Sequence, residues 1–160
     1  MEPASLLRTA KLLAVPIPFF LGGYSYAFSQ NAVPGILDRS ADVNTPIFKY
    51  VFHTGALVIV PGALLGLATS AYLAYLLPAQ RTLWGAAAIA NVAPLIWTQL
   101  VMSSGIKRLI AISEDRTMQE KATANLEHRQ LLSQWISQNY VRVGLYVGAG
   151  IAALNATVAG

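Results

Sequence analysis

The sequence predicts an all-α protein, a bundle of four transmembrane helices with a long C-terminal helix. Three observations carry that prediction. Only 11 % of the 160 residues are charged and 55 % are hydrophobic, whereas soluble domains are about a quarter charged. The mean hydropathy is +0.51. Asp, Glu, Lys and Arg are missing from Leu12–Leu37, Tyr50–Gln80, Thr82–Ile106 and Val143–Gly160. About 20 apolar residues cross a bilayer core as a helix. Three stretches therefore qualify alone, and the fourth does so once the apolar residues before Arg142 are added. The expected spans are 9–29, 53–77, 82–103 and 130–158, within one integral membrane domain over 1–160. A soluble bundle would need polar outer faces, and Ala56–Leu77 offers almost none.

In the first span, Pro16 and Pro18 remove backbone donors and should bend its first half. Its second half is polar for a membrane helix, with Tyr24, Ser25, Tyr26 and Ser29. Pro34-Gly35 is a strong breaker pair and should end the helix near Asn31. The same segment also has the layout of a secretory signal peptide: Arg8 and Lys11 precede an apolar run, and Ala27-Phe28-Ser29 resembles a cleavage site. Residues 38–52, with Pro46, read as a connection. The second span presents Gly55, Gly62, Gly66 and Ser70, and the fourth presents Gly144, Gly148 and Ala152. Small residues four apart let membrane helices approach closely, so crossings are expected at Gly62/Gly66 and Gly144/Gly148. These small faces exceed what one helix pair requires and leave room for a homo-oligomer. The third span carries Asn91, Pro94, Trp97 and Thr98. The stretch 114–129 reads as a solvated loop, His128 included, leading into an extension of the fourth helix. That helix is expected to be the longest.

The sequence has no cysteine, which excludes disulfides and thiolate metal sites. Two histidines and no carboxylates within the spans give no ordinary metal ligand set. No basic cluster supports nucleic-acid binding. Lys and Arg are more numerous in 30–52 and 104–129 than on the opposite side, so the positive-inside rule places those connections in the cytoplasm.

One residue stands out from the apolar background. Arg142 lies inside the last span, on a helical stripe with Trp135, Asn139 and Tyr146 at i, i+4, i+7 and i+11. A lipid-facing guanidinium costs a few kcal/mol on insertion scales, so such residues usually face protein or a wet cavity. Snorkelling to the interface is the plainer alternative. Asn91 and Asn139 need partners too, because an unpaired amide is costly in hydrocarbon. Together with Trp97 they outline a polar, aromatic cavity suited to a flat hydrophobic small molecule. His53, at the mouth of the second span, is the available general base.

The run Trp135-x3-Asn139-x2-Arg142 before a glycine-rich helix resembles the anthrone oxygenase family of small four-helix membrane proteins from polyketide pathways. Gly22-Gly23 with Ser25, Tyr72, Pro94, Trp97-Thr98 and Lys107-Arg108 occur in the same order. The resemblance covers nearly the whole chain. It implies a cofactor-free enzyme that oxidises an aromatic polyketide of the anthrone type, in the endoplasmic reticulum membrane if the chain is fungal. On that reading Arg142 and Asn139 stabilise an oxyanion and His53 is the base. Trp97, Trp135, Tyr146, Asn91 and Tyr24 would bind the substrate. The same pocket could instead guide an oxygen-independent cyclisation or isomerisation. A non-enzymatic assembly protein is the alternative of another class, whereas a transporter would show inverted repeats or more intramembrane charges.

Overall fold

The computed structural model describes residues 3–159, and every regular element among them is helical. Helices α1 (Pro3–Ala14) and α2 (Pro16–Ala27) form the first span, followed by a wide π-helical turn at Phe28–Ala32 and a tight turn at Pro34–Ile36. Next come α3 (Ala41–Leu76), α4 (Arg81–Trp97), a second π-helical turn at Thr98–Met102 and α5 (Ser103–Glu114). The short α6 (Arg116–Ala124) leads to α7 (Glu127–Val158). Four continuous segments are long and apolar enough to cross a membrane: Ser5–Ile36, Ala41–Leu76, Pro78–Glu114 and Glu127–Val158. The chain has the character of a multi-pass membrane protein.

The prolines shape these segments as their chemistry requires. The break between α1 and α2 falls at Val15-Pro16, where the ring sits at a first helical position that needs no donor. Pro94 deprives α4 of one hydrogen bond. The Thr98 hydroxyl donates to the Pro94 carbonyl at 2.7 Å, and the wider turn begins at that threonine. Helical structure persists through Ile36, past the stop expected near Asn31, because the π turn absorbs the residues before Pro34.

Two sequence expectations fail here. Residues 41–52 belong to α3, whose 36 residues exceed the 32 of α7, so the C-terminal helix is long without being the longest. Pro46 is tolerated in the second turn, where it strands only the Asp42 carbonyl near the exposed helix start. Meanwhile Ala41, Asn44, Thr45 and Phe48 are buried. The stretch 114–129 is likewise no open loop. Its α6 is capped by Asp115, which accepts from the Met118 N–H at 2.9 Å. The Thr123 hydroxyl accepts from the Ala41 N–H at 3.0 Å and so joins α6 to the start of α3.

Each span packs on its neighbours in chain order, and α7 closes the ring against α2. Apolar layers stack along the axis. Trp84, Leu73, Ala14 and Ala153 meet at one end, and Leu21, Ile59, Ala63 and Tyr146 form the next layer. Phe48, Met102, Leu109, Leu132 and Trp135 form a third, and Ala41, Ile112 and Ala122 sit under α6. The charged end is marked by Lys49–Glu114 at 2.6 Å, Arg108–Glu127 at 2.6 Å and Arg129–Asp38 at 2.9 Å. These pairs are largely exposed and contribute little to stability.

Close helix approach occurs at only part of the expected glycines. A Cβ on Gly62 would meet Leu21 at 2.8 Å, and one on Gly66 would collide with the Asn91 amide. Gly144 and Gly148 instead face outward with nothing near them, and Gly150 makes the tight contact, against Phe19 at 2.8 Å. The first span thus docks into the bundle at Gly62 and Gly150. Gly66→Ala should lower the thermal midpoint in detergent, since overpacking typically costs about 1–3 kcal/mol. Gly148→Ala should leave that midpoint unchanged, and equal effects of the two would contradict this packing.

Candidate functional site

Helices α2, α3, α4 and α7 enclose a cavity of about 450 Å³, within the range usual for small-molecule sites. Val51, Phe52, Gly55, Ala56, Ile59 and Val60 form one wall, at the spacing that puts them on a single face of α3. Tyr24, Ser25 and Phe28 contribute from α2 and its π turn. Leu95, Thr98 and Gln99 come from α4 and the second π turn, and Trp135, Asn139 and Arg142 from α7. The walls are mostly apolar and aromatic. Tyr24 and Phe28 meet edge to face at 4.9 Å, as do Phe48 and Trp135 at 5.4 Å.

Polarity concentrates at one end. Arg142 is only 7 % exposed and forms no ion pair among the described residues. Its Nη1 donates to Asn139 Oδ1 at 2.9 Å. The Asn139 amide nitrogen in turn donates to the Ser25 carbonyl at 2.9 Å and to Ser29 Oγ at 2.7 Å. Ser29 lies within the first π turn. A single asparagine thus ties α2 to α7 and fixes the guanidinium. Arg142 Nε, Trp135 Nε1 and Ser25 Oγ are buried, belong to cavity-lining residues and make no hydrogen bond within the protein. Burying such donors unpaired costs about 1–3 kcal/mol each.

The structure gathers Arg142, Asn139, Trp135 and Tyr24 around this cavity and leaves the other predicted site residues outside it. His53 is exposed, with its ring against Phe52 at 5.7 Å; one position past Phe52, it turns away from the cavity. Trp97 donates Nε1 to the Gln138 carbonyl at 3.1 Å and serves as a clamp between α4 and α7. Asn91 is buried against Gly66 and donates to the Ala87 carbonyl at 2.8 Å. Tyr146 is buried in the neighbouring apolar layer. Its buried hydroxyl has no hydrogen-bond partner within the protein. Of the two tryptophans, Trp135 lines the cavity and Trp97 does not. Ser25, Phe28, Phe52 and Gln99 are among the lining residues that sequence reasoning did not assign; the signal for the first two was their spacing with Tyr24 on one helical face. His128, expected in solvent, is buried, and its ring nitrogens lie 2.8 Å from the Ala122 carbonyl and 3.2 Å from that of Arg39. Among the described residues no group of three His, Asp or Glu side chains could hold a metal.

The fold and cavity define a multi-pass membrane protein with a mostly apolar cavity between its spans. Comparison with protein families matches the one described as Anthrone oxygenase over residues 48–152. With well over half of its length matched, the chain belongs to the anthrone oxygenase family. The matched region contains the α3, α4 and α7 walls of the cavity, and Tyr24, Ser25 and Phe28 lie before it. Neither curated proteins nor solved structures yield a match.

Replacing Asn139 tests the latch directly. Asn139→Leu orphans the Ser25 carbonyl, the Ser29 hydroxyl and one arm of Arg142, at about 1–3 kcal/mol for each buried group left unpaired. Its thermal midpoint in detergent should fall well below that of Ser29→Ala, which removes only one acceptor. Matching midpoints for the two variants would show that Asn139 does not hold α2 against α7.

Proposed function

We propose that the cavity oxidises an anthrone-type aromatic substrate to the corresponding anthraquinone, using O2 and no cofactor. The observation that carries this reading is Arg142, a buried cation with no carboxylate partner, held by a neutral amide inside an apolar pocket. An anthrone ionises at its central methylene to give an aromatic, phenolate-like anion. A guanidinium in a water-poor site stabilises that anion strongly, because its N–H donors are already oriented. The anion is electron-rich enough to react with O2, forming a peroxide at the former methylene carbon. Loss of water leaves the new carbonyl. The methylene and O2 thus become a ketone and water, with the substrate supplying all the electrons.

On this reading Arg142 stabilises the developing oxyanion with the donors that Asn139 leaves free, and Trp135 Nε1 and Ser25 Oγ supply further donors. Phe28, Phe52 and Tyr24 offer aromatic surface to a flat ring system. Because His53 lies outside the cavity, the methylene proton passes to water, driven by stabilisation of the anion, and a proton returns to the peroxide before water is lost. The partners on this reading are a hydrophobic aromatic small molecule and the lipid bilayer, with a homo-oligomer as a further expectation. In a fungal cell the membrane would be that of the endoplasmic reticulum.

Substitution separates these roles. Arg142→Ala should reduce turnover of an anthrone by roughly 10²–10³-fold, as removal of a preorganised oxyanion donor does. Arg142→Lys should recover little, because the ammonium lacks the planar fork. His53→Ala should stay close to wild type across the pH range. Strict anaerobiosis should abolish conversion in the membrane fraction. Full conversion without O2 would point to a cyclase or isomerase, and an active Arg142→Ala would overturn the site.

A further inference from the structure

Of the residues that line the cavity, only Val60 and Gln99 are exposed. One is on α3 and the other on the π turn that extends α4, so the cavity opens at the seam between these two helices. Its deepest residues, Ser25, Asn139 and Arg142, are buried on the α2 and α7 side. The residues that flank the opening face outward and are apolar: Leu57 is 76 % exposed, Ile96 55 % and Leu100 80 %. That surface belongs to lipid, so the mouth is lateral.

Gln99 is out of character for such a rim. It lies within the uncharged stretch Thr82–Ile106, roughly 12 Å along the helix from Lys107 at about 1.5 Å per residue. No hydrogen bond involves its side chain among the described residues, although Thr98 beside it bonds back to its own helix. An amide without a partner is costly at that depth. The π turn adds a residue to each turn and rotates the helix beyond it, a device found often at functional sites; here it brings Gln99 to the cavity mouth.

We propose that Gln99 is a specificity-determining residue at a lateral mouth. It hydrogen-bonds a neutral hydroxyl on the outer ring of a substrate that enters from the bilayer between α3 and α4, with its ionisable oxygen leading toward Arg142. This rests on the oxygenase reading for the identity of the ligand. A substrate that is polar at both ends and flat between them matches a cavity with donors at its base, an amide at its mouth and aromatic walls. Gln99 acts on recognition and leaves the chemistry at Arg142 untouched.

The test uses the full-length protein in detergent and two product-like probes: an anthraquinone with one hydroxyl on each outer ring, and an anthraquinone with a single hydroxyl. Binding is read from the visible absorption of the probe. Gln99→Leu suits a lipid-facing position, and Gln99→Ala serves if it fails to fold. Either variant should weaken the doubly hydroxylated probe by about tenfold, near the upper end of one neutral hydrogen bond, and leave the single-hydroxyl probe unchanged. In turnover, KM should rise while kcat is retained. Unchanged binding of both probes, or equal loss of both, would overturn the role of Gln99. A wild-type protein that binds neither probe would instead overturn the oxygenase reading on which it rests.

Discussion

The constraint on which the rest of the structure depends is the burial of one guanidinium inside an apolar span. A charge at that depth must face protein and meet dipoles, and Arg142 meets them through Asn139. The asparagine can hold the arginine only because its amide nitrogen is itself anchored on Ser25 and Ser29. That anchorage requires α2 to lie close against α7. The backbone provides for it: a Cβ on Gly22 would touch that of Tyr146 at 3.4 Å, and Gly150 accommodates the Phe19 ring. The π turn at Phe28–Ala32 then places Ser29 toward α7. Small residues, a widened turn and an amide thus serve a single electrostatic need.

Outside the apolar slab, a second layer holds the ends of the helices that carry the cavity. Arg108 grips Glu127 through two bonds, at 2.6 and 3.0 Å, and Lys49 meets Glu114. Exposed pairs of this kind add little free energy alone. The buried part of the layer is more telling. His128 bridges the Ala122 and Arg39 carbonyls, so it joins α6, α7 and the turn before α3. Between α6 and α7 the chain passes through Leu126 in the left-handed region, φ 58°, a conformation that costs a leucine of order 1–3 kcal/mol and persists only where its surroundings over-determine it. The reversal between α6 and α7 is held by the buried His128 together with a local bond, the Glu127 N–H donating to Asn125 Oδ1 at 3.0 Å.

The bundle was legible in the sequence because the bilayer leaves so few alternatives. An uncharged stretch of about 20 residues has to satisfy its backbone internally, and a helix does that. The Trp135–Asn139–Arg142–Tyr146 stripe was legible for a related reason: helical periodicity puts those positions on one face, and their polarity excludes lipid. Periodicity could not say how far α3 reaches back, because Pro46 looks like a stop until the burial of Asn44 and Phe48 outweighs it. Nor could it tell a glycine that packs from one that faces outward, as Gly66 and Gly148 show. His53 and Trp97 were misplaced for want of helix phase: one residue along a helix is a turn of about 100°, enough to move a side chain out of the cavity. Gln99 was hidden by a π turn, which no pattern of period 3.6 describes.

On the proposed reading, binding and catalysis draw on different parts of the same cavity. The aromatic walls treat a flat neutral molecule and its anion alike, so they hold a ligand without favouring its reaction. Arg142 discriminates, because its attraction grows as charge develops on the ligand. For that to accelerate anything, its donors must point the right way before the charge appears. A free arginine in a wet cleft would have to reorganise. Here Nη1 is committed to Asn139, the side chain is almost fully buried and Nε is left unpaired. The bond to a neutral amide matters here: a carboxylate in place of Asn139 would hold the guanidinium equally well but neutralise the charge that the proposed chemistry uses. The pocket therefore keeps a cation that is fixed in place and electrostatically unspent.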